Sequence, residues 1–408
     1  MRLGIGMENS TYKYQLGLRP FDSRPKVAPV VRILRHTGLS RAVLPALAGW
    51  LMLHVAAWSW DWPMYRGNPA LTGVVEGVLP AKPQLLWTFK VGDEVNSSAA
   101  IVGGRVYVGS SSSAVHCLSL ETGKPIWSFP TGGPVESSPL ILDGRLYIGD
   151  SNTNIYCLDA LTGRLVWRFG LDDKVKSSPN WVASADGKTK QILVGGYDFK
   201  LYSLTADTGR TNWVYETGNY INGSPAVGGG KTAFGGCDAI IHVLDVTSGA
   251  RLKQVEAGAY IAASGAIVDG RLYVGHYENE LLCVDLNEGR VVWRYRDRAF
   301  PFMSSPAVTT NRVLVGSRDK RLHCIERETG KAVWTFPTRG KVEASPVVCG
   351  NRVLIGSDDG RIYMLNLEDG RELWQHEIGK PVQTSPAVAD GRFVFGANDG
   401  VIYCFGTK

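Results

Sequence analysis

Apolar and polar positions alternate in short runs along most of this chain, and glycine-containing turns separate the runs. One stretch carries four such runs, in residues 139–142, 145–148, 155–158 and 165–169. The runs are rich in β-branched and aromatic residues, and an Asp143-Gly144 pair, a strong hairpin signal, joins the first two. An array of helical pairs would need long glycine-free segments with helical periodicity, and this stretch has none. The pattern predicts a unit of four antiparallel strands.

The same unit returns at a nearly constant spacing. Its clearest mark is the skeleton Cys-Leu-Asp-x-x-Thr-Gly-Arg-x-x-Trp of residues 157–167, which recurs in related form along the chain. The glycines of the copies are Gly123, Gly163, Gly209, Gly249, Gly289, Gly330 and Gly370, at steps of 40, 46, 40, 40, 41 and 40 residues. In one copy the tryptophan is replaced by Lys253. A period of about 40 residues with four strands per unit is typical of a β-propeller blade.

A second recurring mark counts the blades. A short segment, most often Ser-Ser-Pro, precedes the innermost strand of each unit and occurs eight times, around Ser98, Ser138, Ser178, Ser224, Ser264, Ser305, Ser345 and Ser385. The last unit lacks a fourth strand, whereas residues 85–89 supply an extra one before the first unit. We therefore predict an all-β, eight-bladed β-propeller of four-stranded blades, in which an N-terminal strand completes the last blade and removes the exposed edges.

The tryptophans of the repeat have a structural interpretation. One aromatic residue per period, on the outermost strand, is expected to pack between adjacent blades. The residues concerned are Trp87, Trp127, Trp167, Trp213, Trp293, Trp334 and Trp374.

The chain divides into four segments by composition. Residues 1–41 are basic and irregular, residues 42–60 are apolar, residues 61–84 form an entry segment, and residues 85–408 carry the repeats. A basic flank before an apolar run is typical of a signal peptide or membrane anchor, although 19 residues is borderline for spanning a bilayer. We expect an exported protein of the periplasm or cell envelope that contacts the membrane only through this segment. A buried helix of a cytosolic protein is the alternative.

The charge distribution argues against nucleic acid as a partner. The chain has 44 basic and 38 acidic residues, a net charge of +6. Residues 1–41 hold eight Lys or Arg against two acidic residues, so 8 − 2 = +6 lies in this segment alone. The rest of the chain is neutral, whereas a nucleic-acid-binding domain carries its basic excess on the folded part.

The cysteines indicate neither disulfides nor a metal site. Five of the seven occupy equivalent third-strand positions, namely Cys117, Cys157, Cys283, Cys324 and Cys404. Equivalent points on neighbouring blades are too far apart for a disulfide, so these residues are expected to be small buried hydrophobes. The pairing of Cys237 and Cys349 stays open. No Cys or His spacing typical of zinc occurs, and we predict no metal site.

The candidate binding face follows from meander topology. If strands alternate in direction, the loop entering each first strand and the turn between second and third strands lie at the same end of the channel. These segments vary between blades while the scaffold repeats, so they form our predicted partner-binding face. The candidate residues are Asn96, Glu136, Lys176, Asn222, Glu343, Gln383, Asp198, Arg318, Lys320 and Asp358. No Ser/His/Asp arrangement is evident, and no catalytic residue is predicted.

The repeat resembles the tryptophan-docking repeat of pyrroloquinoline-quinone (PQQ) propellers. Residues 61–67, Asp-Trp-Pro-Met-Tyr-Arg-Gly, followed by Leu-Thr-Gly at 71–73, also resemble the entry segment of exported PQQ-like proteins. In the dehydrogenase branch, the resemblance implies a bound quinone with calcium or a lanthanide, an Asp base and an adjacent-cysteine disulfide. This chain has no Cys-Cys pair and lacks long inter-blade insertions. The other branch resembles BamB, a non-catalytic partner in outer-membrane protein assembly, from which this chain departs by lacking a lipidation cysteine.

We therefore expect an exported, monomeric, non-enzymatic scaffold that binds a protein partner of the cell envelope and needs no cofactor. Two alternatives remain. The first is a PQQ-dependent oxidoreductase of alcohols or sugars, which would bind PQQ with calcium. The second is a carbohydrate- or cell-wall-binding module that would use the rim aromatics Tyr197, Tyr220, Tyr260 and Tyr277.

Overall fold

Eight blades of four antiparallel strands make up the computed structural model, and one of these sheets carries a fifth strand that pairs parallel. The structure describes residues 60–184 and 186–408. The predicted all-β, eight-bladed propeller is thereby confirmed. Residues 1–41 and nearly all of the apolar run 42–60 lie outside the described residues. In the part of the chain that is described, no helix is long and apolar enough to cross a membrane.

The strands follow one another in the same order in every blade, from the channel outward. Blade 1 contains β3 (Ala100–Val102), β4 (Arg105–Ser110), β5 (Ala114–Ser119) and β6 (Pro125–Pro130). Blade 2 contains β7 (Leu140–Leu142), β8 (Arg145–Gly149), β9 (Asn154–Asp159) and β10 (Leu165–Gly170). Blade 3 contains β11 (Asn180–Ala183), β12 (Lys190–Gly195), β13 (Lys200–Thr205) and β14 (Thr211–Glu216). Blade 4 contains β15 (Ala226–Gly228), β16 (Lys231–Gly235), β17 (Ile240–Asp245) and β18 (Arg251–Glu256).

The second half of the ring repeats this order. Blade 5 contains β19 (Ala266–Val268), β20 (Arg271–Gly275), β21 (Leu281–Asp285) and β22 (Arg290–Tyr295). Blade 6 contains β23 (Ala307–Val308), β24 (Arg312–Ser317), β25 (Arg321–Glu326) and β26 (Ala332–Pro337). Blade 7 contains β27 (Val347–Cys349), β28 (Arg352–Gly356), β29 (Arg361–Asn366) and β30 (Glu372–Glu377). Blade 8 contains β31 (Ala387–Ala389), β32 (Arg392–Gly396), β33 (Val401–Gly406) and, as its outer strand, β2 (Gln84–Lys90).

The ring closes by pairing the last strand of the chain with a strand that precedes blade 1. Strand β2 pairs antiparallel with β33, and Trp87 lies opposite Cys404 in that register. Three strands of blade 8 therefore come from the C-terminal end of the chain, and the fourth comes from the segment before blade 1. Closure leaves no open blade edge at this junction, as predicted for strand exchange.

Tryptophan of one blade docks on the Thr-Gly turn of the next. The Trp127 indole covers Gly163, where an added Cβ would lie 2.7 Å from the ring, and its N–H donates to the Ala160 carbonyl at 3.1 Å. Gly163 also has a φ of +72°. The turn therefore needs glycine twice, because L-residues rarely adopt this φ and because the indole occupies the space of a side chain.

This docking recurs around most of the ring. Indole N–H groups donate to the equivalent carbonyl from Trp87 to Leu120, Trp167 to Ala206, Trp293 to Arg327 and Trp334 to Leu367. Trp213 covers Gly249 but its N–H has no partner. In blade 4 the tryptophan is replaced by Lys253, whose side chain lies over Gly289 of blade 5. Trp374 packs instead against Phe393 and Phe405 of blade 8.

Residues 60–79 form a strap across one end of the channel. The Trp62 backbone pairs with Ile101 of blade 1, and Pro63 accepts a hydrogen bond from Ile141 of blade 2. Further along the strap, carbonyl groups accept hydrogen bonds from the N–H groups of the innermost strands of blades 4 to 7. The pairs are Val227 N–H with Pro69, Ile267 with Ala70, Val308 with Thr72 and Val348 with Gly73, at 2.8–2.9 Å. The strap ends in β1 (Val74–Val75), which pairs parallel with β27. Met64 and Leu71 of the strap are fully buried among the inner strands.

The cysteines are all free thiols, and all seven lie in the described part of the chain. The five that occupy equivalent third-strand positions are buried, and so is Cys349. Burial raises the pKa of Cys117 to about 11 and that of Cys157 to about 12. Cys237 alone is partly exposed, at a turn of blade 4.

Candidate functional site at the mouth of the channel

Two loops of every blade meet at the end of the channel opposite the strap. In blade 1 the Ser111 N–H donates to the Glu94 carbonyl at 3.0 Å, which ties the turn between β4 and β5 to the loop entering β3. The equivalent bonds run from Ser151 to Pro134, Tyr197 to Lys174, Cys237 to Tyr220, Tyr277 to Tyr260, Arg318 to Pro301, Asp358 to Lys341 and Asn398 to Pro381. Entry loops and second turns therefore form a single face, which we call the mouth.

The Ser-Ser-Pro segments explain why the channel holds its shape. The first serine stays within its blade, as Ser177 Oγ accepts the Gly195 N–H at 2.8 Å. The second serine links blades, as Ser138 Oγ accepts the Ser98 N–H at 3.0 Å. This link continues through Ser178, Ser224, Ser264, Ser305, Ser345 and Ser385 and returns to Ser98, with distances of 2.7–3.2 Å. We call these eight residues the serine ring.

The serine ring walls a cavity of about 180 Å³ that opens at the mouth. Its floor is the strap residue Tyr65, whose hydroxyl lies 3.1 Å from Ser305 Oγ and 3.2 Å from Ser345 Oγ. Above the ring, the cavity is lined by one entry-loop side chain from each blade, namely Asn96, Glu136, Lys176, Asn222, Ala262, Met303, Glu343 and Gln383. Six of our ten candidate residues are therefore brought together here. We call this space the cup.

The charged residues at the cup are paired. Lys176 Nζ lies 2.8 Å from a Glu136 carboxylate oxygen, and Arg318 Nε lies 2.7 Å from Glu343 Oε1. Arg318 belongs to the outer row of turns and is not part of the cup lining. These pairs leave both lip carboxylates neutralised by a neighbouring cation.

Asp358 also lies in the outer row of turns. Its carboxylate accepts a hydrogen bond from Gln383 Nε2 at 2.9 Å. Burial raises the pKa of the Asp358 carboxyl, and the nearby Glu343 raises it further. The Asp358 side chain is therefore held against the cup lining, and its surroundings disfavour the ionised form of the carboxyl.

The remaining two candidates do not join the cup. Asp198 fastens its own turn, since it accepts hydrogen bonds from the Tyr202 hydroxyl at 2.5 Å and the Lys200 N–H at 3.3 Å. Asp359 holds the Tyr363 hydroxyl in the same way in blade 7. Lys320 is exposed on the outer row. Asp198 thus has a structural role in its turn, and Lys320 faces solvent.

Exposed aromatic side chains are concentrated on one part of the mouth, over blades 3 to 6. The Tyr197 and Tyr220 rings stack with centroids 4.7 Å apart, and Phe199 meets Tyr220 edge to face at 5.1 Å. Tyr260 and Phe300 are 58% and 47% exposed. With Tyr277, these residues form what we call the aromatic sector. Sequence reasoning singled out its tyrosines but missed Phe199 and Phe300, because a lone phenylalanine in a loop carries no positional signal.

A cluster with metal-like geometry lies beside this sector. Asp297, Asp319 and His323 offer ligand atoms within 4.8 Å of one another. However, His323 Nε2 lies 3.2 Å from the Asp319 carboxylate and Nδ1 lies 3.0 Å from the Tyr295 hydroxyl. The same arrangement recurs between blades 3 and 4, where His242 of blade 4 contacts the Tyr215 hydroxyl of blade 3 and the Asp238 carboxylate of its own turn. Because it recurs at an equivalent position, the cluster is a structural contact that fastens the turn of one blade to the outer strand of the preceding blade.

The comparisons with known proteins agree with this architecture. The sequence profile of the family described as outer membrane protein assembly factor BamB matches residues 72–295, 237–315 and 295–405. A search of curated proteins found no significant match.

Solved structures share the fold at low sequence identity. BamB from Moraxella catarrhalis has a TM-score of 0.67 at 21% identity, covering 80% of this chain and 98% of its own. The quinohemoprotein alcohol dehydrogenase ADHIIG from Pseudomonas putida HK5 has a TM-score of 0.70 at 12% identity, covering 85% and 80%. The computationally designed Ika8 protein has a TM-score of 0.70 at 16% identity, covering 79% and 100%. At these identities the likeness shows the fold alone.

Proposed function

This chain belongs to the family of the outer membrane protein assembly factor BamB, and we propose that it is a non-catalytic scaffold of the cell envelope that binds a protein partner through its mouth. A closed ring supplies a preorganised surface, so little ordering entropy is lost on binding. The described chain also begins at the opposite face, where the Trp60 N–H donates to the Asp390 carboxylate on the turn between β31 and β32.

The aromatic sector is the observation that carries this proposal. Five exposed large side chains, Phe199, Tyr220, Tyr260, Tyr277 and Phe300, lie on consecutive blades at one face. The cup lining beneath them is uncharged, with Asn222, Ala262 and Met303. Aromatic residues and Met are enriched in the cores of protein interfaces, and charged residues are depleted there.

Cations beside the sector complete the interface chemistry. Lys174 Nζ lies 4.7 Å from the Tyr197 ring centroid, and the Arg318 guanidinium lies 5.9 Å from that of Tyr277. Tyrosine and arginine are also among the residues that dominate measured binding energies. We infer that the partner presents apolar side chains to this sector, with acidic groups near Arg318 and Lys320.

Paired substitutions test the proposal. Replacing Tyr260 and Tyr277 together by alanine should reduce partner co-purification by about tenfold or more, because each central aromatic typically contributes about 1–2 kcal/mol or more. Leu161, 61% exposed at the face opposite the mouth, provides the matched control as Leu161→Ala. Equal co-purification of the double variant and this control would contradict the placement.

Charge reversal examines the cationic side of the same interface. Reversing Lys176, Arg318 and Lys320 should weaken partner capture. Lys320 is the cleanest of the three, because it is exposed, whereas reversal of Lys176 or Arg318 would also place a carboxylate against Glu136 or Glu343. Unchanged capture by the triple variant would argue against a role for these cations.

A PQQ-dependent dehydrogenase is the competing function. The cup has a volume of about 180 Å³ and polar walls of serine hydroxyls and entry-loop side chains, with Tyr65 across its floor. PQQ is a flat aromatic tricarboxylate that would need a larger slot with faces to stack on. The cup fits this group poorly, which supports a function without it. Calorimetric titration of the full-length protein with PQQ and calcium should give no binding, and stoichiometric binding would redirect the assignment.

Carbohydrate binding would use the same aromatic sector, since aromatic rings also provide stacking platforms for sugars. A glycan array separates the two functions. Retention of a glycan that is lost in Tyr260→Ala would favour the carbohydrate-binding module, and no retention would leave the protein partner as the proposal.

A further inference from the structure

The serine ring has unused hydrogen-bond donors. Each of its eight hydroxyl oxygens accepts one backbone N–H from the neighbouring blade, which leaves the hydroxyl proton free to donate. Among the described residues, the Tyr65 hydroxyl beside Ser305 and Ser345 is the one side-chain oxygen found to hydrogen-bond with them. The serines are 3–6% exposed and line the cup. Several buried donors therefore converge on one small space.

A buried cation lies beneath the same wall. Arg66 follows the floor residue Tyr65, is 1% exposed, and donates from Nη2 to the carbonyl of Pro306, the residue after Ser305 of the ring. Its Nε and Nη1 have no hydrogen-bond partner, and no carboxylate of the described residues pairs with it. Burial lowers the pKa of Arg66 to about 10, which still leaves it charged at neutral pH. An unpaired buried charge is costly and attracts an anion.

Two of the three carboxylates near the lip of the cup are paired with a cation, and the third, Asp358, lies outside the cup lining in the outer row of turns. Glu136 and Glu343 each lie within 2.8 Å of a cation, Lys176 and Arg318 respectively. The other cup-lining residues above the ring are uncharged. Fixed donors, with the unpaired Arg66 charge beneath them inside a low-dielectric wall, favour a small negative group.

We propose that the cup is a binding site for a small oxyanion, either a phosphate or a carboxylate, held by the serine-ring hydroxyls above the Arg66 charge. A volume of about 180 Å³ accommodates such a group together with water. The site is formed by the serine ring and not by the side chains of the aromatic sector, so oxyanion binding does not require a protein partner.

Calorimetric titration of the full-length protein without a partner tests the site. The protein, in an oxyanion-free buffer, is titrated separately with inorganic phosphate, sodium acetate and calcium chloride. Saturable binding of phosphate or acetate is expected, and the tighter of the two identifies a tetrahedral or a planar oxyanion. Binding of calcium alone, or of none of the three at tens of millimolar, would overturn the proposal.

Two variants locate the binding. Ala262 lines the cup, so Ala262→Asp should weaken oxyanion binding by about tenfold or more through like-charge repulsion. The control Ala299→Asp adds the same charge on an exposed residue outside the cup and should change affinity less than about twofold. Equal losses in both variants would place the ion elsewhere.

Variants at Arg66 examine the second element of the site. Arg66→Met should weaken binding, and Arg66→Lys, which keeps the charge, should retain more of it. If Arg66→Met fails to fold, the Ala262 pair still decides the outcome. Loss of oxyanion binding with intact partner capture would leave the proposed function unaffected, because the two sites are measured separately.

Discussion

Restoring the missing tryptophan of blade 4 should stabilise the ring. Lys253 occupies the docking position over Gly289, where its Cδ would lie 3.0 Å from an added Cβ, and the side chain is exposed. The register opposite Val243 matches that of Trp167 opposite Cys157. Lys253→Trp therefore places an indole at the same point of the blade as in its neighbours.

The expected gain follows from the other blades. An indole in this position would bury roughly 100 Å² more apolar surface than lysine, or about 2.5 kcal/mol at about 25 cal/mol per Å². A hydrogen bond to the blade 5 carbonyl of Leu286, equivalent to the Trp167 bond of 2.8 Å, would add about 1 kcal/mol. Two effects remove about half of this total free energy. The indole loses side-chain freedom on folding, and the unfolded chain already buries part of the same apolar surface. We expect about 1–2 kcal/mol.

Thermal and denaturant unfolding of the full-length protein measure the effect. The matched control is Leu252→Trp, one residue earlier on the same strand, where Leu252 is 44% exposed and does not face the turn glycine. Lys253→Trp should raise the unfolding midpoint by a few degrees, and Leu252→Trp should not. Equal midpoints for the two variants would refute the docking argument.

Three further predictions concern single residues. Gly163→Ala should destabilise the protein by about 2 kcal/mol or more in denaturant unfolding, because the φ of +72° is unfavourable for alanine and its Cβ would meet the Trp127 ring at 2.7 Å; an effect below about 0.5 kcal/mol would contradict the docking geometry. In the native protein, thiol titration should modify Cys237 alone, since the six other thiols are buried; rapid reaction of several thiols would show a more open ring. Asp358→Asn should raise the unfolding midpoint at neutral pH, because a raised folded-state pKa penalises the ionised Asp358, and the difference should shrink as pH falls and the wild-type carboxyl becomes protonated. The Gln383 bond can persist in this variant, and a midpoint difference independent of pH would exclude the titration as its cause.

The scaffold was predictable because its signals repeat. A single occurrence of Gly163 followed by Trp167 would not indicate a fold. Its recurrence at steps near 40 residues identifies the blade and its outer strand. The unpaired strand around Trp87 likewise predicted ring closure, which the pairing of β2 with β33 confirms.

The strap and the role of the serine ring in linking the blades were not predictable from periodicity. Residues 60–79 occur once, and the backbone bonds of the strap are spread over blades 1, 2, 4, 5, 6 and 7, so no local sequence pattern predicts them. The two serines of Ser177-Ser178 look alike in sequence, yet one hydroxyl serves its own blade and the other receives a bond from its neighbour. This difference depends on how adjacent blades are placed, which is a property of the assembled ring.

The candidate face was predictable as a location but not residue by residue. Meander topology places Glu136 and Asp198 at the same end of the channel. It does not reveal that Glu136 lines the cup while Asp198 is occupied by the Tyr202 hydroxyl. Polar residues at a turn look equivalent in sequence until their hydrogen-bond partners are known.

Site-specific photo-crosslinking in cells tests the central claim most directly. A crosslinking residue is placed at Tyr260 in the aromatic sector and, as the control, at Leu161 on the opposite face. We predict one dominant crosslinked product from position 260, identified by mass spectrometry as a component of outer-membrane protein assembly, and none of it from position 161. The same product from both positions, or a product from position 161 alone, would contradict partner binding at the mouth.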